Sequence, residues 1–308
     1  MSAIASTPPA PLPGHPWHEG EMRMQRSVGG AERMSEVGAR VIRDHLLEQH
    51  RNFYPQLPFV VLGAVDAEGD AWASLRAGEP GFLQSSDPLT LRVVLPREIT
   101  DPADAGLNDG NTIGLLGIEL HTRRRNRLNG SIHRRGSNAL DIDVRQSFGN
   151  CPKYISPRDF AFTRAPSDSP NAAPVITDRL DAAMAAMISV ADTFFVASYV
   201  GNGDDRQVDV SHRGGASGFV HVDTDGGLTI PDYAGNRFFN TLGNLLANPK
   251  AGLTFVDFAT GALLQLSGDA EVMLDGSDIA AFPDAERLWR FHPRRIVFRA
   301  DALPLRWT

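Results

Sequence analysis

The chain has 308 residues, 42% hydrophobic and 22% charged, with a formal net charge of −7. That is a globular composition long enough for two cores, and its acidic balance excludes a surface built as a whole to coat nucleic acid or an anionic membrane. One cysteine, Cys151, excludes an intrachain disulfide and a four-cysteine zinc site, and no apolar run approaches the roughly 20 residues of a membrane span.

Residues 1–14 are rich in Pro, Ala and Ser, with no basic flank or apolar stretch. They read as a disordered leader and not as a signal peptide, and cytoplasmic location is the default expectation. Met34, Val37 and Val41 form a helical stripe within Met34 to Leu47. Phe59 to Val65 is an unbroken apolar run and reads as a buried strand; Asp66 to Asp70 is a turn, and Ala71 to Leu75 a second strand. In a strand over His121 to Arg127, Arg123, Arg125 and Arg127 share one face. Such a face either receives a phosphate or acidic group or stays solvated; no aromatic platform accompanies it, so nucleic acid is not expected. Cys151 has Lys153 nearby but no His, Asp or Glu close in sequence, so it is not read as a nucleophile. Residues 157–174 hold Pro157, Pro166, Pro170 and Pro174 and read as a linker.

Beyond the linker, Thr177 or Asp178 is the expected cap of a helix whose Leu180, Met184, Met187 and Ile188 share a face. Thr193 to Val200 and Arg206 to Ser211 are strands around a turn at Gly201 to Asp205. Gly226-Gly227 is a hairpin turn and Leu228 to Ile230 a strand. A helical pattern from Phe238 to Ala247 ends at Asn248-Pro249. Gly235-Asn236-Arg237 therefore sits where a strand gives way to a helix N-terminus, whose free N–H groups favour an anion. Arg237 adds a forked donor suited to phosphate oxygens, and Asp232, Asn236 and Asn240 can hydrogen-bond hydroxyls or amides. The competing account is that Asn236 caps the helix and Arg237 is a solvated surface residue.

The chain repeats itself. Leu75-Arg76-Ala77-Gly78-Glu79-Pro80-Gly81-Phe82 aligns with His212-Arg213-Gly214-Gly215-Ala216-Ser217-Gly218-Phe219. Ile113 to Leu120 aligns with Ala251 to Phe258 at an offset one residue longer, and that offset brings Asn129-Gly130 onto Ser267-Gly268. Ordered anchors with one small gap predict two copies of one domain, with a site where the copies face each other. Helix first, then short strands separated by Gly and Asp turns, predicts small antiparallel barrels with accessory helices.

His212-Arg213-Gly214-Gly215-x-x-Gly218-Phe219-Val220, Ile230-Pro231-Asp232-x-x-Gly235-Asn236-Arg237 and Asn248-Pro249-x-x-Gly252-Leu253-x-Phe255-x-Asp257-Phe258 together resemble the pyridoxamine 5'-phosphate oxidase-like flavin-binding proteins. The likeness is strongest over Asp192 to Val272. It extends to His18-Glu19-Gly20-Glu21 and Ser147 to Tyr154, and the whole resembles the two-copy flavin-nucleotide-binding branch. The resemblance implies a mainly β (α+β) fold of two tandem FMN-binding split β-barrels with accessory helices. The barrels would span 15–156 and 175–308, with FMN in the groove between them. It implies Arg237 on the FMN phosphate, Asp232 and Asn236 beside ribityl and phosphate, and the ring along Ser217, Gly218, Phe219 and Val220. From the first copy it implies Trp72, Arg125, Asn150 and Lys153 at the flavin.

Where the second copy has Gly-Asn-Arg, the first has acidic residues in Pro96 to Asp104, which would repel a phosphate. One phosphate grip per chain is therefore expected. The groove would be closed either within one chain or in a homodimer. The family's Arg-x-His substrate pair is matched weakly by Arg290 and His292, with Pro293 in place of the expected acidic residue. Two readings of activity stay open: an FMN-dependent oxidoreductase acting on a small substrate or electron donor, and a non-catalytic flavin carrier. No metal-ligand spacing and no dinucleotide-binding glycine motif occurs.

Overall fold

The computed structural model describes residues 16–149, 151–168 and 172–308. Three helices lead, α1 (Glu19–Ser27), α2 (Ala31–Val41) and α3 (Glu48–Arg51). Seven strands follow: β1 (Phe59–Val65), β2 (Ala71–Ala77), β3 (Leu83–Asp87), β4 (Thr90–Val94), β5 (Thr112–Glu119), β6 (Arg124–Arg135) and β7 (Ala139–Gly149). Every residue of β1 is buried, as its unbroken apolar run requires. The turn after it closes because the Asp66 side chain accepts the amides of Glu68 and Asp70. The stripe expected over Met34 to Leu47 is helical only to Val41. Arg43 lies outside it, exchanging backbone hydrogen bonds with Ser147 of β7.

The stretch expected as a linker carries β8 (Phe160–Phe162), which pairs with the C-terminal strand β17 (Leu305–Trp307). Arg158 grips both carboxylate oxygens of Asp192 at 2.7 and 2.8 Å. Then come β9 (Val175–Thr177), α4 (Ala182–Val190), β10 (Thr193–Val200), β11 (Gln207–Gly214), β12 (His221–Val222), β13 (Leu228–Tyr233), α5 (Asn240–Ala247), β14 (Lys250–Asp257), β15 (Ala262–Met273) and β16 (Ala285–Arg299). The cap of α4 is neither Thr177 nor Asp178. Thr177 ends β9, and Asp181 accepts the Met184 amide instead.

The fold is mainly β, two antiparallel split-barrel sheets with accessory helices. The first sheet runs β2-β1-β5-β6-β7-β4-β3 and the second β11-β10-β14-β15-β16-β13-β12, the same path twice, with β9 added on β16. The registers agree as well: Arg76 lies opposite Val60, and Arg213 opposite Phe194. A bulge falls at Asn129/Gly130 in one sheet and at Ser267/Gly268 in the other.

The sheets share a core. Phe59, Val61, Leu75, Leu116 and Ile118 pack with Phe195, Ala197, Val210, Val256 and Leu263 in one buried cluster. Two matched glycines let the backbones close. A Cβ on Gly114 would stand 2.8 Å from the Val208 carbonyl oxygen, and one on Gly252 2.3 Å from that of Ala71. Each half thus offers β5 or β14 to the other's β11 or β2, the reciprocity of a two-fold interface built within one chain. Helix α1 docks on α5 of the other half, where a Cβ on Gly20 would stand 2.1 Å from the Gly243 carbonyl oxygen.

Candidate functional site

The entry into α5 is made by unusual backbone. Arg237 and Phe239 both have positive φ, 63° and 61°, rare for residues with a side chain and costly unless the surroundings enforce it. The Asn236 side chain accepts the Phe238 amide at 3.1 Å. Gly235, Asn236 and Arg237 are exposed, at the mouth of a cavity lined by both halves.

Arg213 of β11 and Arg287 of β16 hold the buried Asp232 carboxylate, one on each oxygen, at 2.5 and 2.7 Å. From the first half, Arg127 reaches Asn240 at 2.8 Å and Asp209 at 3.4 Å, and also bonds the Ser211 hydroxyl. Arg125 donates to the Cys151 carbonyl and approaches His212 Nδ1 at 3.4 Å. Burial, then Arg125, Arg213 and Arg158, holds His212 well below the usual histidine range, so the ring is neutral. Because a guanidinium only donates, Nδ1 accepts and the proton is assigned to Nε2.

The first half closes the cavity with Cys151 to Tyr154. The Tyr154 ring stands 5.5 Å from Tyr233, and its hydroxyl donates to the Ala234 carbonyl at 3.1 Å. The enclosed space is about 130 Å³. Four buried nitrogens of its lining find no partner among the described residues: Nε of Arg125, Arg127 and Arg213, and Nε2 of His212. A buried donor without a partner costs about 1–3 kcal/mol, so four in one place mark a site that expects acceptors from outside the protein.

Beneath Arg127 lies a buried polar layer. His18 accepts the Gly20 amide on Nδ1 and pairs through Nε2 with Asn244 Oδ1 at 2.8 Å. Glu21 accepts from the His18 amide and from Asn240. Burial first, and Asp209 second, pushes the Glu21 carboxyl up to about 8. The folded state therefore holds this proton more tightly than the unfolded chain. Stability from this group is fully present below the unfolded value near 4.5 and is lost as pH rises to about 8. The slope is at most ~1.4 kcal/mol per pH unit. In Glu21→Gln that decline should disappear; urea midpoints at pH 5, 6.5 and 8 check it, and parallel slopes in both proteins would refute it.

Of the residues expected at the site, Arg125, Lys153, Phe219, Asp232, Asn236 and Arg237 line the cavity. Ser217, Gly218 and Val220 do not. The Ser217 hydroxyl donates to the carbonyl of Val190, the last residue of α4, the Gly218 amide donates to that of Ala191, and Val220 is in the second core. Trp72 is absent too: its indole N–H is spent on Asp66 at 2.9 Å, with Arg295 over the ring. Arg290 and His292 sit farther along β16, toward the Gly226-Gly227 hairpin, where Arg290 pairs with Asp278. Arg123 leaves the expected arginine face because it occupies the positive-φ turn before β6. Asn150 lies outside the described residues. The sequence reading passed over His212 and Arg213 as site residues, although Arg213 stood in the repeat beside Arg76.

The matching groove on the other side is filled with protein. Arg76, the counterpart of Arg213, pairs with Glu98 at 2.9 Å and approaches Asp101 and Asp104 at 3.6 and 3.5 Å. Arg299 meets Glu98 and Asp101. Gln265, at the register position of Arg127, donates to Asp101 at 3.1 Å, as Ser74 does at 2.6 Å. The acidic residues of the first half are thus not bare repellents; they occupy the groove as ion pairs.

Residues 180–300 match the family model described as pyridoxamine 5'-phosphate oxidase. None of the curated proteins matches the chain. Among solved structures, the chain is similar to HupZ of Group A Streptococcus, 18% identical over 38% of this chain and 91% of that one, with a TM-score of 0.31. An FAD-binding protein of Mesorhizobium loti is 14% identical over 41% and 97%, at 0.30. A putative pyridoxamine 5'-phosphate oxidase of Lactobacillus delbrueckii is 16% identical over 34% and 95%, at 0.28. The likeness to the pyridoxamine 5'-phosphate oxidase family is thus carried by residues 180–300, less than half of the chain.

Proposed function

We propose that the groove between the halves binds one FMN per chain and serves a flavin-dependent oxidoreductase. The observation that carries this is the set of four unpartnered buried donors on Arg125, Arg127, Arg213 and His212 around one aromatic-lined cavity. A flavin offers phosphate oxygens at one end and ring carbonyls and nitrogens at the other, acceptors that suit such a lining. Arg237 and the Asn236 turn at the mouth would hold the phosphate, and the buried arginines with His212 Nε2–H would face the ring's acceptors. When bound, the flavin supplies the redox chemistry, while the protein supplies placement and field.

Tyr154 closes the first half's side of the groove; it is 43% exposed and joined to the second half by a ring contact and one hydrogen bond. The oxidoreductase is preferred to a carrier because a neutral His212 with a free Nε2–H can steady charge developing in the site. The test is the visible spectrum and an FMN titration of wild type and Arg237→Ala. A charged contact is worth roughly 1.5–3 kcal/mol, so affinity should fall about 10- to 100-fold. No flavin band in wild type, or equal affinity in the variant, would defeat the proposal. Anaerobic flavin reduction by NADH or NADPH separates oxidoreductase from carrier.

A further inference from the structure

Across Arg125 from that cavity lies a second one, of about 380 Å³, between α3 and the turn joining β5 to β6. Its walls include Gln49, His50, Arg124, Arg125 and Asn126. Nothing in the flavin proposal uses it. Asn126 is 1% exposed; its carbonyl accepts the Tyr54 hydroxyl at 2.6 Å, but both N–H bonds of its amide lack a partner among the described residues. His50 Nδ1 is buried and, among the described residues, unpartnered as well. Arg124 rests on the Phe53 ring at 4.8 Å, with Glu119 3.9 Å away, and Arg123 is exposed beside it. Glu119 is already engaged by the Thr122 hydroxyl at 2.7 Å. The wall therefore carries guanidinium and amide donors in excess of acceptors, with net positive charge.

We infer that this pocket is an oxyanion site that takes the phosphate or carboxylate end of a small ligand. An oxyanion supplies several acceptor lone pairs to a fork and an amide at once and neutralises the cationic wall. The Asn126 N–H groups, which no described residue satisfies, are the contacts that a bound oxyanion would complete. Because Arg125 is common to both walls, a ligand anchored here lies next to the groove between the halves.

The inference does not depend on flavin. Calorimetric titration of the full-length protein with inorganic phosphate, and separately with succinate, should show saturable binding of at least one; which one binds identifies the oxyanion. Arg124→Gln, a half-exposed change, should weaken binding about fivefold or more, and Asn126→Asp should abolish it by placing a carboxylate where the amide stands. Circular dichroism verifies folding, and Arg124→Gln alone decides the matter if Asn126→Asp does not fold. Arg237→Ala and saturating FMN should leave probe binding within about twofold. The inference is overturned if neither probe binds, if Arg124→Gln binds as wild type does, or if FMN or Arg237→Ala removes the binding. Failure of the flavin proposal would leave these titrations readable, since they use no flavin signal.

Discussion

A chain lacking residues 1–156 is expected to lose flavin affinity altogether and to aggregate. The second sheet would expose Phe195, Ala197, Val210 and Leu263, which the first half covers; each large apolar side chain is worth about 1.5–3 kcal/mol when buried. Helix α5 would lose α1, and the cavity would lose Arg125, Arg127, Lys153 and Tyr154. Solubility and FMN titration of the fragment check this; a soluble fragment that binds FMN as the full chain does would show that the first half is dispensable.

The second large effect is expected from Arg127→Met. Arg127 is 5% exposed and faces Asp209, 6% exposed, in a layer that also holds Glu21. Removing the cation leaves a buried carboxylate without its counter-charge, a loss of about 3–5 kcal/mol. Burial pulls the Arg127 pKa down and the nearby Asp209 opposes that shift, which is why the two act as a pair. The urea midpoint should drop markedly in Arg127→Met, and Arg127→Met with Asp209→Asn should recover much of it. Equal loss in single and double variants would mean that the packing of the long side chain, not its charge, carries the stability.

How much of this was legible in the sequence depends on the kind of residue. Phe59 to Val65 and Thr193 to Val200 match the observed strands at both ends, because apolar runs closed by Asp and Gly turns leave little freedom. The internal alignment placed Arg76 and Arg213 at what prove to be equivalent register positions. The buried layer of His18, Glu21, Arg127, Asp209 and Asn244 was not legible: charged residues read as surface until a partner far along the chain is known. Asn244 and His18 are separated by 226 positions. Trp72 lies outside the cavity lining for a local reason, since Asp66 is six residues away and accepts its indole N–H.

Carrying both barrels in one polypeptide changes what substitution can do. In a homodimer each residue appears twice, so a change that improves one groove is imposed on the other. Here Arg127 and Gln265 hold matching positions and differ, as do the Gly235–Arg237 turn and the acidic stretch around Asp101. With both halves in one chain, each position can differ from its counterpart. One groove keeps a cavity, while the other holds the Arg76, Arg299 and Asp101 network that ties the halves together.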